Sequence, residues 1–364
     1  MRILVGYNCW RKGIDIYYER LWEYLRAHGH DVHGFCLTAD PPGPSKSFNQ
    51  LNSEWQNGDR RLLKKLSDLE KTLKDFDVFI NWHGSELPPV FVRKLPVHTV
   101  FICFDDPENS VNLSRPAAWA YDQCFAGNIA AVPLYQDWGC RVSGFLPLGF
   151  APWDVLPHLD EETLNLDGRT IDLVFFGERE SAWRKNRLTR IAKYFPDGFF
   201  RGKGWPGGYL EKEKMLKIYS QSKIGLNLHN STGPINQRFY QLPAHGVMQV
   251  CDNKSRLSTI FEVGKEIAGF DTTGEGIEIV QYFLEHDDER IKIALNGYKR
   301  VNRDYTILAV WKNLEKVISK EKNRDHDRTA EYGIIEKYSA TLHRKPVFSG
   351  AKNAITVPVK KSLS

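Results

Sequence analysis

The sequence has few of the features that would place a protein at a glance. Its 364 residues contain no apolar run approaching the roughly 18 needed to cross a bilayer. The first residues lead from Arg2 straight into Ile3, Leu4 and Val5, without the long apolar core of a secretory signal, so they read as a buried strand and the chain as cytoplasmic. Six cysteines (Cys9, Cys36, Cys103, Cys124, Cys140 and Cys251) are scattered without Cys-x-x-Cys spacing. That argues against a zinc cage and for reduced thiols. Charge of either sign is nearly balanced, 50 Lys and Arg against 45 Asp and Glu, a net +5. Nucleic-acid binders of this size are usually more basic. No internal repeat is visible.

What is present is strand and helix in alternation. A length of 364 residues exceeds what one hydrophobic core usually fills, so two domains are expected. Residues 3–7 read as a strand, 15–28 as an amphipathic helix stopped at Gly29, and 31–37 as the next strand. Residues 77–82 and 98–104 are buried-strand runs ending at His83 and at Asp105, Asp106 and Pro107. Such alternation implies right-handed crossovers and parallel sheets. A Pro- and Gly-rich stretch at 151–168 is the expected linker between domain 1–150 and domain 169–305. A helix is expected over 306–320, and 321–364 reads as a basic tail whose last part carries Arg344, Lys345, Lys352, Lys360 and Lys361 without an acid. A solvated tail is the plain reading. Contact with anionic lipid or nucleic acid is the sharper one.

The most informative stretch is 172–252. A strand run ends at Gly177 and leads to a basic segment with Arg184, Lys185 and Arg187. A second run ends in Gly202, Gly204 and Trp205. A third ends at Asn227 and His229 and leads through Gly233 and Pro234 to Asn236, Arg238 and Gln241. In open parallel sheets ligands sit beyond the carboxyl ends of the strands, and guanidinium forks match phosphate oxygens. A diphosphate is the expected guest. Each of these residues also has a plainer reading. The basic trio could be a solvated helix face, the Gly-Trp turn a mere connection, His83 a structural histidine, and Asp-Pro a turn start. The 10 tryptophans suit a large core as well as sugar faces.

These pieces, in order, resemble the second domain of the group 1 glycosyltransferases, in particular the spore-protein-like branch. They are Phe176-Gly177 with Arg184, the turn at 202–205, Asn227, Asn236 and Arg238, the stretch 241–252, and the loop 261–267 with Glu266. Upstream, 104–107, 121–122 and 148–150 extend the likeness to about 1–320. The resemblance implies an α/β fold of two Rossmann-like domains facing across a cleft, the GT-B architecture, with a C-terminal helix crossing back. It implies transfer of a sugar, a hexose above all, from a nucleoside diphosphate, UDP favoured over GDP, to a hydroxyl on a glycan, lipid-linked glycan, protein or modified DNA. Gly177, Arg184, Lys185, Arg187, Gly202, Gly204, Trp205, Asn227, Asn236, Arg238, Gln241 and Glu266 would bind the donor. His83, Asp105 and Asp106 would serve the acceptor. A structural role is the preferred reading of Glu266.

One departure stands out. Many retaining relatives carry two glutamates eight positions apart, where this chain has Gly233 and Gln241. Gln can still bond ribose hydroxyls through its amide. Gly233 has no side chain, so the choice between retention and inversion stays open. Asp105 and Asp106 are adjacent rather than spaced Asp-x-Asp, so no metal and no cofactor are expected. Two further readings remain: glucosylation of hydroxymethylated DNA bases, and a non-catalytic binding or morphogenetic protein on a decayed transferase fold.

Overall fold

A computed structural model describes residues 1–38, 41–43, 46–83, 86–157, 162–179, 182–230, 233, 236–322, 331 and 333–342. Six strands form the first sheet: β1 (Ile3–Tyr7), β2 (Val32–Cys36), β3 (Val78–Trp82), β4 (His98–Cys103), β5 (Gln123–Ala126) and β6 (Val142–Phe145), in the order β2-β1-β3-β4-β5-β6. Five form the second: β7 (Ile171–Phe176), β8 (Phe199–Arg201), β9 (Ser222–Asn227), β10 (Met248–Cys251) and β11 (Ala268–Gly269), in the order β11-β10-β9-β7-β8. Every pairing is parallel. The strands are apolar on both faces because helices cover both; β1, β3 and β4 are buried throughout.

Strand order reverses once in each sheet. The chain leaves β1 for β2 on one side and returns to β3 on the other. It likewise leaves β7 for β8 and returns to β9. Such reversals open a crevice at the strands' carboxyl ends, because successive helices depart to opposite faces. The residues after Tyr7, Trp82, Phe176 and Asn227 therefore border these two crevices.

The helix Ile307–Lys322 crosses to the first domain. It buries Trp311, Leu314 and Ile318 among Trp22, Leu25, Trp82 and Val100, with the rings of Trp22 and Trp311 5.9 Å apart. The outgoing and returning chains meet where Phe150 N–H donates to Tyr305 O at 3.1 Å and Ile307 N–H to Phe150 O at 2.8 Å. Within the stretch expected to be a tail, Ile334–Leu342 is a helix. Glu70 caps its start by accepting from the amides of Ile334 and Ile335 at 2.8 and 3.3 Å. Tyr338 stacks on Trp55 at 4.0 Å. Arg344, Lys345, Lys352, Lys360 and Lys361 lie outside the described residues. Among the described residues no helix is long and apolar enough to cross a membrane.

Candidate active site

A cleft of about 1140 Å³ lies between the two sheets. Arg11, Lys12, His83 and Asp105 line it from the first domain, and Lys212, Asn236 and Gln241 from the second. A chamber of about 290 Å³ shares Asp105 and Asn236 with the cleft and adds Glu108, Asn109, Arg184, His229, Asn230 and Arg238. Its second-domain wall stands at the β7/β9 crevice.

Arg238 is held by three oxygens at that crevice. Nε donates to Asn227 Oδ1 at 3.2 Å, Nη2 to Leu228 O at 3.2 Å, and Nη1 to Phe176 O. The guanidinium lies 4.8 Å over the Phe175 ring. Arg184, 5% exposed, donates from Nη1 to the same Leu228 carbonyl at 3.2 Å. Burial, then the neighbouring charge of Arg238, brings the Arg184 pKa down to about 10; burial lowers Arg238 as well. Both remain cations at neutral pH. Among the described residues Arg238's bonds go to amide oxygens rather than to a carboxylate, so its charge is solvated but not neutralised. Two like charges sharing one carbonyl are costly, and an anion between them relieves the cost.

The local sequence makes this packing possible. A Cβ on Gly177 would fall 2.2 Å from Arg238 Nη1, and one on Gly202 only 2.4 Å from Gly177 O, with Gly202 at φ +126°. Only glycine fits at 202, and a side chain at 177 would displace the Arg238 guanidinium. Asn227 is fully buried; besides Arg238 it accepts from Asn236 Nδ2 at 2.9 Å and donates to Gln249 at 2.8 Å. The helix after this loop is Arg238–Ala244, shorter than the Gly-Pro start in the sequence implies, so Arg238 is its first residue. Pro234 lies outside the described residues.

On the facing wall, His83 has a left-handed φ of 57°. Its Nδ1 accepts from the Phe104 amide at 3.3 Å, which leaves the proton on Nε2, 3.2 Å from Asp105 Oδ2. That bond holds the Asp105 carboxyl below its usual range. Asp105 thus stands as an ionised carboxylate on the cleft wall.

The other candidates fall elsewhere. Asp106 is fully buried, accepts from Ser114 Oγ at 2.6 Å and from Tyr135 OH, and lines neither cavity; burial pushes its carboxyl up. Lys185 is exposed on the helix Ala182–Tyr194. Arg187 is tied to Asp252 at 3.1 Å and to Thr273 at 3.4 Å. Trp205 stacks on Phe200 at 4.9 Å and donates to Gly177 O at 3.2 Å, as a core residue does. Gly204, at φ +84°, shapes that turn. Glu266 accepts from the Glu262 amide at 2.8 Å, within its own loop. Gln241, 4% exposed, lines the cleft.

His229 and Asp252 were not among the sequence candidates, although His229 stands two residues past Asn227, where β9 ends. His229 Nδ1 is 2.7 Å from Asp252 Oδ1. With Cys251 the pair forms the grouping among the described residues whose potential metal-ligand atoms lie within 4.8 Å of one another. Asp252 is already committed to His229 and Arg187, and burial keeps the Cys251 thiol protonated. The trio is a hydrogen-bonded dyad beside a neutral thiol, a poor donor set for an ion.

Two parallel sheets facing across a cleft, with the last long helix returned to the first domain, define the GT-B fold. Solved structures share it. Sucrose-phosphate synthase of Thermosynechococcus elongatus matches with a TM-score of 0.58 at 12% identity, over 88% of this chain and 98% of that one. HepE of Anabaena, in complex with UDP and glucose, matches with a TM-score of 0.57 at 15% identity, over 88% and 99%. A glycosyltransferase of Rickettsia africae gives a TM-score of 0.58 at 12% identity, over 89% and 99%. Residues 171–316 match the family described as glycosyl transferase-like. No curated protein matches the chain.

Proposed function

We propose that the protein transfers a sugar, a hexose, from a nucleoside diphosphate to a hydroxyl acceptor, without a metal ion. The observation that carries this is the pair of buried guanidiniums, Arg184 and Arg238, at the β7/β9 crevice of a GT-B cleft. A fold hosts many activities, so the site and not the fold is the argument. The diphosphate sits against Arg184 and Arg238, which stabilise the charge that develops as the C1–O bond breaks. Because two guanidiniums supply that charge, no divalent ion is needed. The nucleoside extends toward Gln241, whose amide bonds the ribose. Asp105, aligned by His83, accepts the bond of the attacking hydroxyl and orients it. UDP is the favoured nucleotide, as HepE was crystallised with UDP and glucose. The second domain is the donor half, the first the acceptor half. Within the fold, the order of the loops from Gly177 to Glu266 supports the spore-protein-like branch.

Incubation of the purified protein with UDP- and GDP-sugars, with and without sugar acceptors, tests this. Acceptor-dependent release of the nucleoside diphosphate is the expected result. Absence of both binding and turnover across the panel would leave the non-catalytic reading standing.

A further inference from the structure

Among the chamber's residues, His229 carries a buried ring nitrogen that no described residue answers. His229 is 1% exposed, lines the chamber beside Arg184 and Arg238, and its Nε2 has no partner among the described residues. The other ring nitrogen is fully specified. Asp252 accepts from His229 Nδ1 at 2.7 Å, from the His229 amide at 3.2 Å and from Arg187 at 3.1 Å. A carboxylate engaged by so many donors is an acceptor, so Nδ1 carries the proton and Nε2 presents a lone pair. Burial, opposed by Asp252 and helped by Arg238 and Arg184, holds the imidazole pKa below its ordinary range, so the ring is neutral.

A bare lone pair is the wrong group to face an anion; the same nitrogen, protonated, is a donor. The surroundings favour that change once the guanidiniums are neutralised. Asp252 with Arg187 stands behind the ring, Cys251 Sγ is 4.0 Å from Nδ1, the Phe239 ring is 6.2 Å away, and Asp105 and Glu108 line the opposite wall. A phosphate group would cancel the field of Arg184 and Arg238, the two cations that oppose protonation.

We propose that His229 takes one proton from solvent when the terminal phosphate of a free nucleoside diphosphate enters the chamber, and donates it from Nε2 to a phosphate oxygen. The proposal rests on reading the cleft as a nucleoside-diphosphate site. No covalent bond other than N–H is made. A terminal phosphate carries one more negative charge than the same phosphorus esterified to a sugar, so the product draws the proton more strongly than the donor does. His229 thereby separates product from donor, and product release becomes dependent on pH.

The test is titration calorimetry of UDP and of UDP-glucose in two buffers of different ionisation enthalpy, from pH 6 to 8, on wild type and His229→Asn. Asparagine keeps an N–H donor toward Asp252 and lacks Nε2; a matching melting temperature verifies the fold. Protonation on binding means an affinity that is full at low pH and falls as pH rises through the bound-state pKa. Wild type is expected to take up more protons per UDP than the variant, by up to one. Its affinity, relative to the variant, should fall with pH by at most about tenfold per unit, the limit for one linked proton. UDP-glucose should show a smaller difference. Comparison with the variant removes the titration of UDP itself. Equal proton uptake by both proteins at every pH overturns the proposal while leaving the nucleotide site intact. Failure of wild type to bind UDP, GDP or inorganic pyrophosphate overturns the nucleotide reading as well.

Discussion

Arg238→Ala is the most direct perturbation of the anion chamber. It removes a charge-assisted donor to phosphate, a contact of about 1.5–3 kcal/mol. At about 1.4 kcal/mol per decade this predicts a Kd for UDP roughly 10- to 150-fold weaker. Two side effects enter. Phe176 O, Leu228 O and Asn227 Oδ1 lose their shared donor. Leu228 O keeps Arg184 and Asn227 Oδ1 keeps Asn236, and water from the chamber of about 290 Å³ can reach Phe176 O, so the stability cost belongs near the low end of about 1–3 kcal/mol for one abandoned group. Arg184 also loses a repelling neighbour, which restores some of its affinity for anions and keeps the net loss from exceeding the stated range. Arg238→Lys keeps the charge but not the fork, so it cannot hold Asn227, Leu228 and phosphate together and should recover less than half of the lost binding energy. Calorimetric titration with UDP, beside a thermal melt of each variant, reads the effect. A folded Ala variant that binds UDP as tightly as wild type would remove Arg238 from the site.

Other perturbations probe the rest of the cleft. Gln241→Glu should leave donor affinity unchanged or tighten it by at most about 1–2 kcal/mol, while Gln241→Ala weakens it; an unfolded Ala variant whose soluble remainder still prefers ribose over deoxyribose would instead make Gln241 a core residue. Turnover should survive chelator, and loss that manganese or magnesium restores would contradict the metal-independent reading. His245, with its pKa brought down to about 4 by burial, binds fewer protons folded than unfolded. Stability is therefore full above its ordinary value near 6.5 and declines as pH falls toward 4, by up to about 3 kcal/mol. Urea melts at pH 7 and 5 should show this, and His245→Gln should flatten it.

The sheets were legible because buried parallel strands leave apolar runs: those read at 77–82 and 98–104 overlap β3 and β4 nearly end to end. Side-chain direction was less legible. Arg184, Lys185 and Arg187 are neighbours in sequence, but a helix turns about 100° per residue. Arg184 therefore reaches the chamber, Lys185 water and Arg187 Asp252. Asp105 and Asp106 part as well, at the bend after β4, one at the cleft and the other at Tyr135. The helix Ile334–Leu342 has buried Ile334 and Ile335, with Tyr338 on the same side, but charged neighbours hid a stripe only nine residues long. The His229–Asp252 dyad joins residues 23 apart in the chain, and no local pattern announces such a pair.

The returning helix has a consequence for how the chain is made. Trp311, Leu314 and Ile318 form one wall of the core that holds Trp22 and Trp82. An emerging polypeptide must therefore be extended by about 170 residues after β6 before its first half can be completed. At about 5–20 residues per second that is a wait of roughly 10–35 s. Throughout it Trp22, Trp82 and their neighbours lack their cover, while the second sheet can already close on itself. The half synthesised first is the half finished last, and a ribosome-bound intermediate of this protein should present that uncovered indole surface to chaperones.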